Sequence, residues 1–437
     1  MTDSRRSEAI ESPFSVLVVG SGAREHALVL ALSESPSVSE IWASPGNPGM
    51  CFLAKCLDYP VSEVEAIADW AEERGIGLVV VGPEAPLAAG LADLLQARGV
   101  AVFGPTRAAA ELEWSKAFAK EFMVRHGIPT ADSGAFTNSE SALEYLAKSA
   151  FPVVVKADGL AAGKGVLICH DAMEAEAAIR SILVERAFGD AGNQVIIEEF
   201  LQGRELSVIA LVDGERLAIL PLARDYKRLG DGDEGPNTGG MGSFSPVEEI
   251  DSSLLENIRE AVLEPTVKDM REEGRPYRGA LYAGLMLTQD GPKVLEFNCR
   301  FGDPETQVIL PLLESDLAAT LLQCAQGQLD PDSITTRTLA ATCIVLAAPG
   351  YPEQPRTGAA ITGIEAAEES GAQVFHAGTA ERDGQLVTGG GRVLSVVATG
   401  ESLDAARSAA YEAAQRIAFP GMQLRMDIAQ SPDTSPA

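Results

Sequence analysis

Glu296 and Asn298 stand two apart in the run LEFNCRFGDPE (295–305), with Arg300 two further on. Residues two apart on an extended strand leave the same face. A carboxylate and an amide oxygen on one rigid face suit a divalent cation such as Mg²⁺, which completes its shell with water and phosphate oxygens. A planar guanidinium beside it would stabilise charge on a phosphoryl group in transfer. Alternating polar residues usually mark a plain solvent face. Here they alternate with Phe297 and Cys299 and run into an FGDPE turn, a composition that favours a site.

Phosphate chemistry has matching residues elsewhere. Lys156 ends the apolar run FPVVVKADG (151–159), and the AAGKG stretch that follows supplies Gly163, Lys164 and Gly165. Glycines let a backbone close over a phosphate chain and lysines neutralise it, although this is not the G-x-x-x-x-G-K-[ST] loop. IIEEFL (196–201) sets Glu198 and Glu199 beside Phe200 at a strand end. Such a connector can bond an adenine edge through its backbone and hold sugar hydroxyls with a carboxylate; the plainer alternative is an exposed strand end. The stretch ARDYKRLGDGDEGPNTGGMGS (223–243) carries Asp225, Lys227 and Arg228, then Asn237, Thr238, Gly239 and Gly240. A long loop without elements of its own is usually functional or disordered, and its Gly-rich half is expected to wrap an anion.

These residues need elements to position them. VLVVG (16–20), IWASPGN (41–47), GLVVVGPEAPL (77–87) and VAVFGPT (100–106) read as strands alternating with helices, the pattern of a helix-covered parallel sheet. Three loops fall at the carboxyl ends of these strands: GSGAREH (20–26), Pro45–Gly49 and Gly82-Pro83-Glu84. Open sheets bind ligands along that edge. GSGAREH fails the dinucleotide fingerprint because Glu25 stands where the third glycine belongs, so an NAD site is a weak alternative to a tight turn. Further on, strands and helices come in runs, and YAGLMLTQDGPKVLEFNCR (282–300) reads as a hairpin turning at Asp-Gly.

The fold class expected is thus α/β and α+β. A doubly wound parallel-sheet domain spans 14–115, a central α+β domain 116–325 and a small C-terminal α+β domain 339–428. The polar stretch 326–338 is a linker, and 1–13 and 429–437 are disordered ends. The third domain shows no chemistry of its own.

Composition narrows the function classes. The 437 residues are 46% hydrophobic and 22% charged, enough to bury a core, with a formal net charge of −29. That acidity disfavours nucleic acid and anionic membrane as partners. No apolar run is long enough for a membrane helix, and the first residues, MTDSRRSEAIESPF, lack the apolar core of a secretory signal. Six Cys at 51, 56, 169, 299, 324 and 343 show no CxxC spacing. Reduced thiols and a cytoplasmic location are expected, with neither a disulfide framework nor structural zinc.

In order and spacing, GAREHAL (22–28), PGN (45–47), VGPEAPL (81–87), VKADGLAAGKGV (155–166), IEEFL (197–201), DEGPNTGGMG (233–242) and EFNCRFGDPETQ (296–307) resemble the phosphoribosylamine–glycine ligases of the ATP-grasp superfamily. The likeness covers about 14–428 and makes the central domain an ATP-grasp domain. It implies ATP-dependent ligation of glycine to 5-phosphoribosylamine through glycyl phosphate, in purine biosynthesis, with Mg²⁺ or Mn²⁺ and a monomeric chain. By the resemblance Lys116, Lys156, Gly163, Lys164 and Gly165 hold the ATP phosphates. Glu198, Glu199, Phe200 and Leu201 frame the adenine, and Glu205 the ribose. Glu296 and Asn298 are the metal ligands, and Arg300, Asp225 and Lys227 act on the reacting groups. Gly22, Gly46, Asn47, Glu84, Asn237, Thr238, Gly239, Gly240 and Asp303 line the substrates. Many ATP-grasp enzymes carry a second acidic metal ligand on the strand before the E-x-N pair; here that strand reads Leu285-Met286-Leu287. The chain's end implies none of the downstream enzymes found in fused eukaryotic versions. Two alternatives remain: another ATP-grasp ligase working through carboxyphosphate, and a non-catalytic nucleotide module built on GSGAREH.

Overall fold

The computed structural model of the chain describes residues 12–160 and 165–430. The N-terminal sheet is fully parallel. Phe14–Gly20 lies at its centre, between Val38–Pro45 and Leu78–Val81, with Lys55–Cys56 and Val102–Phe103 at the edges. Alternate residues of the central strand enter opposite cores: Leu17 and Val19 pack with Ile67 and Leu91, while Val16 and Val18 pack with Ala27 and Leu28. That two-sided burial is why the strands read as unbroken β-branched runs. The helices Ala23–Ser33, Val64–Arg74 and Leu91–Ala97 supply the covers.

Two antiparallel sheets form the middle of the molecule. One is ordered Ser133–Phe136, Val195–Glu199, Val153–Ala157, Val166–Cys169. Its own small core includes Val155, Ile179 and Ile197. The other is ordered Leu217–Ile219, Arg204–Asp213, Arg278–Thr288, Gly291–Asn298. Its last pair is the hairpin expected at Asp-Gly, closing at Thr288 opposite Gly291.

The stretch 223–245 departs from the sequence expectation. It is not a structureless loop: Arg228–Gly230 and Glu234–Asn237 form a hairpin, and Arg224–Asp225 pairs with Gly242–Ser245. Gly242–Ser245 then pairs with Ala340–Ala347, so the C-terminal sheet (completed by Arg392–Gly400 and Gln373–His376) is shared with the middle of the chain. Glycines and charges hid these strands, because each is short, and the buried one, Gly242–Ser245, takes a partner about a hundred residues away.

The polar stretch 326–338 is pinned to the body. Leu329 is fully buried, its N–H donates to Asp213 Oδ2, and Arg337 N–H donates to the Leu312 carbonyl. The folded chain also runs past 428, since Ala429 is buried and its N–H donates to the Tyr226 hydroxyl. Residues 1–11 and 431–437, expected to be disordered, lie outside the described residues.

Cysteine pairing is a correction. Cys51 and Cys56 form a disulfide, closed by the short turn Met50–Phe52 and the edge strand at 55–56, which bring the Cα atoms to 5.5 Å. A spacing of five carries no motif, so the sequence did not disclose it. Cys169, Cys299, Cys324 and Cys343 are free and buried. Among the described residues no helix is long and apolar enough to cross a membrane.

Candidate active site

Glu296 and Asn298 end the strand Gly291–Asn298 on one face, as their spacing requires. Arg300 lies just past the strand end and turns back, donating from Nη2 to Asn298 Oδ1 (3.0 Å) and from Nη1 to the Phe301 carbonyl (3.1 Å). Its Nε sits 3.3 Å from Glu84 and 3.2 Å from Glu113. Glu84 opens a short helix at the end of the strand Leu78–Val81. One guanidinium thus joins the parallel-sheet edge to the Glu-Asn face. Burial raises the Glu84 carboxyl, but Arg300 and Arg24 outweigh it and hold it below its ordinary value. Glu113 goes the other way. It is buried deeply enough that desolvation wins over Arg300, although it accepts a hydrogen bond from Cys299 N–H at 2.7 Å.

Three lysines gather opposite. Lys116 and Lys120 are one turn apart on the helix Lys116–His126, which Ser115 caps by accepting from Phe118 N–H. Lys116 Nζ donates to the Gly159 carbonyl (2.8 Å). Lys156 Nζ donates to Glu198 Oε2 (2.8 Å), and Lys120 Nζ is 3.2 Å from the same oxygen. Burial lowers the Lys120 ammonium to about 8 against the pull of Glu198. Burial also lowers Lys116, with Glu296 opposing. In a chain of net charge −29, this is a local cationic cluster of the kind a polyphosphate requires.

Glu198 departs from the plainer sequence reading. It is not an exposed strand end, because it is 3% exposed and its Oε2 lies between two lysines. Its Oε1 is buried with no hydrogen-bond partner. Glu199, on the opposite strand face, accepts from Lys293 Nζ (3.0 Å) and Asp132 N–H (3.2 Å). Leu201 is buried and Phe200 half-buried just beyond the strand. Gly165 accepts from Ala157 N–H; Gly163 and Lys164 lie outside the described residues.

Lys227 lies between Glu205 (3.1 Å) and Glu296 (3.9 Å). Burial pulls its ammonium down, but Glu205, Asp225 and Glu296 outweigh it, so it titrates well above the ordinary lysine value. The same lysine, with Lys156, Lys116 and Arg300, holds Glu296 ionised against its burial. Asp225 moves up, because burial and the carboxylates of Glu305, Glu205 and Glu296 together exceed the effect of Lys227.

The donors of the Gly-rich stretch are already engaged, contrary to the expectation that they wrap an anion. Thr238 N–H donates to the Lys227 carbonyl, Gly240 N–H to Thr238 Oγ1 and Gly239 N–H to the Tyr351 hydroxyl. Asn237 pairs across the hairpin with Arg228. Asn47 is likewise committed: its amide donates to the Ser21 and His376 carbonyls and its oxygen accepts from Met50 N–H. It holds the 46–49 loop to the first loop and to the C-terminal segment.

Glu25 explains the failed fingerprint. Its carboxylate accepts from Gly22 N–H at 2.7 Å, and a Cβ at Gly20 or Gly82 would overlap its side chain. The acid fills the turn from within and takes up a backbone donor that a pyrophosphate would use. Gly46 holds φ +76° with Cys56 Sγ against it, so that turn too admits only glycine. Asp303 accepts from Gln307 Nε2 (2.7 Å) and Arg392 Nη2 (2.9 Å), and its Oδ2 lies 3.7 Å from where a Cβ at Gly22 would stand.

Sequence reasoning missed Lys120, Glu113, Glu305, His376 and Arg392. The i, i+4 spacing from Lys116 would have marked Lys120. Glu305 sits in the same FGDPE turn, buried and accepting from Ser207 Oγ (3.0 Å) and Tyr282 Oη (2.9 Å). Nothing local marks Arg392 or His376. Among the described residues no group of three or more His, Cys, Asp or Glu is placed to hold a metal. Glu296 and Asn298 offer two hard oxygens on one face. That donor set fits a cation that takes its remaining ligands from phosphate and water, and nothing on Leu285–Leu287 adds a third.

Residues 14–113, 114–306 and 341–431 match in order the N domain, the ATP-grasp (A) domain and the C domain of phosphoribosylglycinamide synthetase. The trifunctional purine biosynthetic protein adenosine-3 of Gallus gallus is 51% identical over 417 residues, 94% of this chain and 42% of that protein. The chain therefore spans less than half of that relative's length. The phosphoribosylamine–glycine ligase of Pseudomonas aeruginosa is 49% identical over 416 residues, 94% of this chain and 97% of that protein. The crystal structure of the phosphoribosylamine–glycine ligase of Thermotoga maritima superposes with a TM-score of 0.84 at 40% identity, covering 95% of this chain and all of that one.

Proposed function

The chain belongs to the phosphoribosylglycinamide synthetase family, and from that premise we propose that it joins glycine to 5-phosphoribosylamine with cleavage of ATP, in purine biosynthesis. ATP phosphorylates the glycine carboxylate: a carboxylate oxygen bonds to the γ-phosphorus and ADP leaves. The amine then attacks the acyl carbon of glycyl phosphate, the C–O bond to phosphate breaks, and glycinamide ribonucleotide forms with loss of a proton from nitrogen.

The observation that carries this reading is the reach of Arg300. It contacts Glu84 on the parallel-sheet edge and Asn298 on the phosphate-facing strand, so acceptor and donor halves share one cation. Lys116, Lys156 and Lys120 bind and orient the triphosphate, with Gly165 beside them. Arg300 stabilises charge on the moving phosphoryl group. Glu205 holds the ribose, and Glu198, Glu199, Phe200 and Leu201 border the adenine, with the unpartnered Glu198 Oε1 free to accept from an amino group. Glu296 and Asn298 would hold Mg²⁺ or Mn²⁺, which when bound neutralises phosphate charge. Lys227 keeps Glu296 ionised, and Asp225, raised by burial, takes up the proton released by the amine. Gly22, Gly46, Asn47, Glu84 and Asp303 shape the acceptor side, and Asn237–Gly240 the glycine side.

The division at 14–115, 116–325 and 339–428 goes with this reading, with acceptor loops in the first part and nucleotide lysines in the second. So do a monomeric chain and small-molecule partners only. A cytoplasmic location is supported by the four buried free thiols and not by the Cys51–Cys56 bond.

The test is ADP release by the purified protein with ATP, Mg²⁺, freshly generated 5-phosphoribosylamine and either glycine or bicarbonate. Release with glycine supports the assignment. Release with bicarbonate alone would instead favour the carboxyphosphate chemistry of other ATP-grasp ligases.

A further inference from the structure

Arg392 opens a strand of the C-terminal segment, yet its contacts point into the site. Its Nη1 donates to the Gly239 carbonyl (2.6 Å) and the Asp303 carbonyl (2.8 Å), with the Gly240 carbonyl at 3.5 Å. Its Nη2 donates to Asp303 Oδ2 (2.9 Å). The Tyr351 hydroxyl holds the same loop from the other side, accepting from Gly239 N–H at 3.0 Å. Asp303 in turn faces the Gly22 turn. One guanidinium therefore ties the acid beside the acceptor loop to two carbonyls on the glycine side.

We propose that Arg392 is a positioning residue that keeps the acceptor amine against the acyl phosphate and so couples ATP cleavage to ligation. The inference rests on the function proposed above and deepens it. Glycyl phosphate can meet two nucleophiles. The amine forms a C–N bond, breaks the C–O bond to phosphate and loses a proton. Water forms a C–O bond, breaks the same bond, and returns glycine and phosphate. Which one wins depends on placement, because a displacement of about 1 Å can cost on the order of 10²-fold in rate. Arg392 touches none of the reacting atoms. It fixes Asp303 and the Gly239–Gly240 carbonyls, which together form the wall between the two substrates. A lysine would keep the charge but lose the planar fork that reaches several acceptors at once.

The experiment measures ADP formed per glycinamide ribonucleotide, and the KM for ATP, in the parent, Arg392→Met, Arg392→Lys and Tyr351→Phe. The parent is expected near one ADP per product. Arg392→Met is expected to release at least about threefold excess ADP with the ATP KM within about twofold of the parent, because the nucleotide lysines are untouched. Arg392→Lys falls between, and Tyr351→Phe shows a smaller excess. A ratio of one in a folded Arg392→Met variant overturns the proposal, whatever happens to its rate, since a merely structural role lowers both products together. If Arg392→Met does not fold, Tyr351→Phe decides: excess ADP supports the proposal and a ratio of one overturns it. A parent that forms no product overturns the function itself, and this inference with it.

Discussion

His26 and His376 meet where the first helix touches the C-terminal segment, and acid should loosen that junction. Both are buried, at 7% and 6% exposure. The His376 N–H donates to His26 Nδ1 at 2.9 Å, so that nitrogen must stay unprotonated. Burial, and then His376, lowers His26 to about 3; burial lowers His376 to about 4. Both folded values lie below the ordinary 6.5, so the unfolded chain takes up protons first as pH falls. The contribution is present in full above about pH 6.5 and is lost from there down to about pH 4 for His376 and about pH 3 for His26. At about pH 5, about 1.5 pH units below the ordinary histidine value, protonation favours the unfolded form by about 2 kcal/mol per histidine and about 4 kcal/mol together. Equilibrium urea unfolding at about pH 8 and about pH 5 reads this, followed by tryptophan fluorescence. Trp42, Trp70 and Trp114 all belong to the N-terminal part that carries His26, so they report its unfolding. His376→Phe keeps the backbone donor to His26 and removes one titration. It should lose about 2 kcal/mol less than the parent between the two pH values, since the carboxylate terms cancel in the comparison. Equal losses in parent and variant would refute the assignment of the buried neutral pair. Because Asn47 donates to the His376 carbonyl, the KM for 5-phosphoribosylamine should rise over the same window.

Glu296→Gln should lower kcat by on the order of 10²-fold or more with an unchanged melting temperature, because a carboxylate that four cations hold ionised is removed from the phosphate-facing strand. Near-parent turnover at saturating Mg²⁺ would reject its role. Gly82→Ala should cost about 1–3 kcal/mol in urea unfolding, since the new methyl overlaps the buried Glu25 side chain. Adding Glu25→Ala should recover part of that loss, and a double variant no more stable than the single one would show that the strain lies elsewhere.

The chemistry-bearing motifs were legible because each is local. Period-two spacing sets Glu296 and Asn298 on one face before any fold is known, and unbroken β-branched runs announce a sheet covered on both sides. The hairpin closing between Thr288 and Gly291 was equally legible, since Asp290-Gly291 sits between two apolar-rich runs. What the tertiary structure alone decided is how these pieces close on one another. Arg392 lies 89 residues from Asp303 and 153 from Gly239, and no periodicity connects them. Glu25 reads as a broken fingerprint until Gly20 and Gly82 are seen to leave room for its carboxylate. The short strand Gly242–Ser245 is set between Arg224–Asp225 and Ala340–Ala347, a partner about a hundred residues away. Local spacing is written in consecutive residues, whereas burial, ion pairing and ladder partners depend on which distant segments pack together.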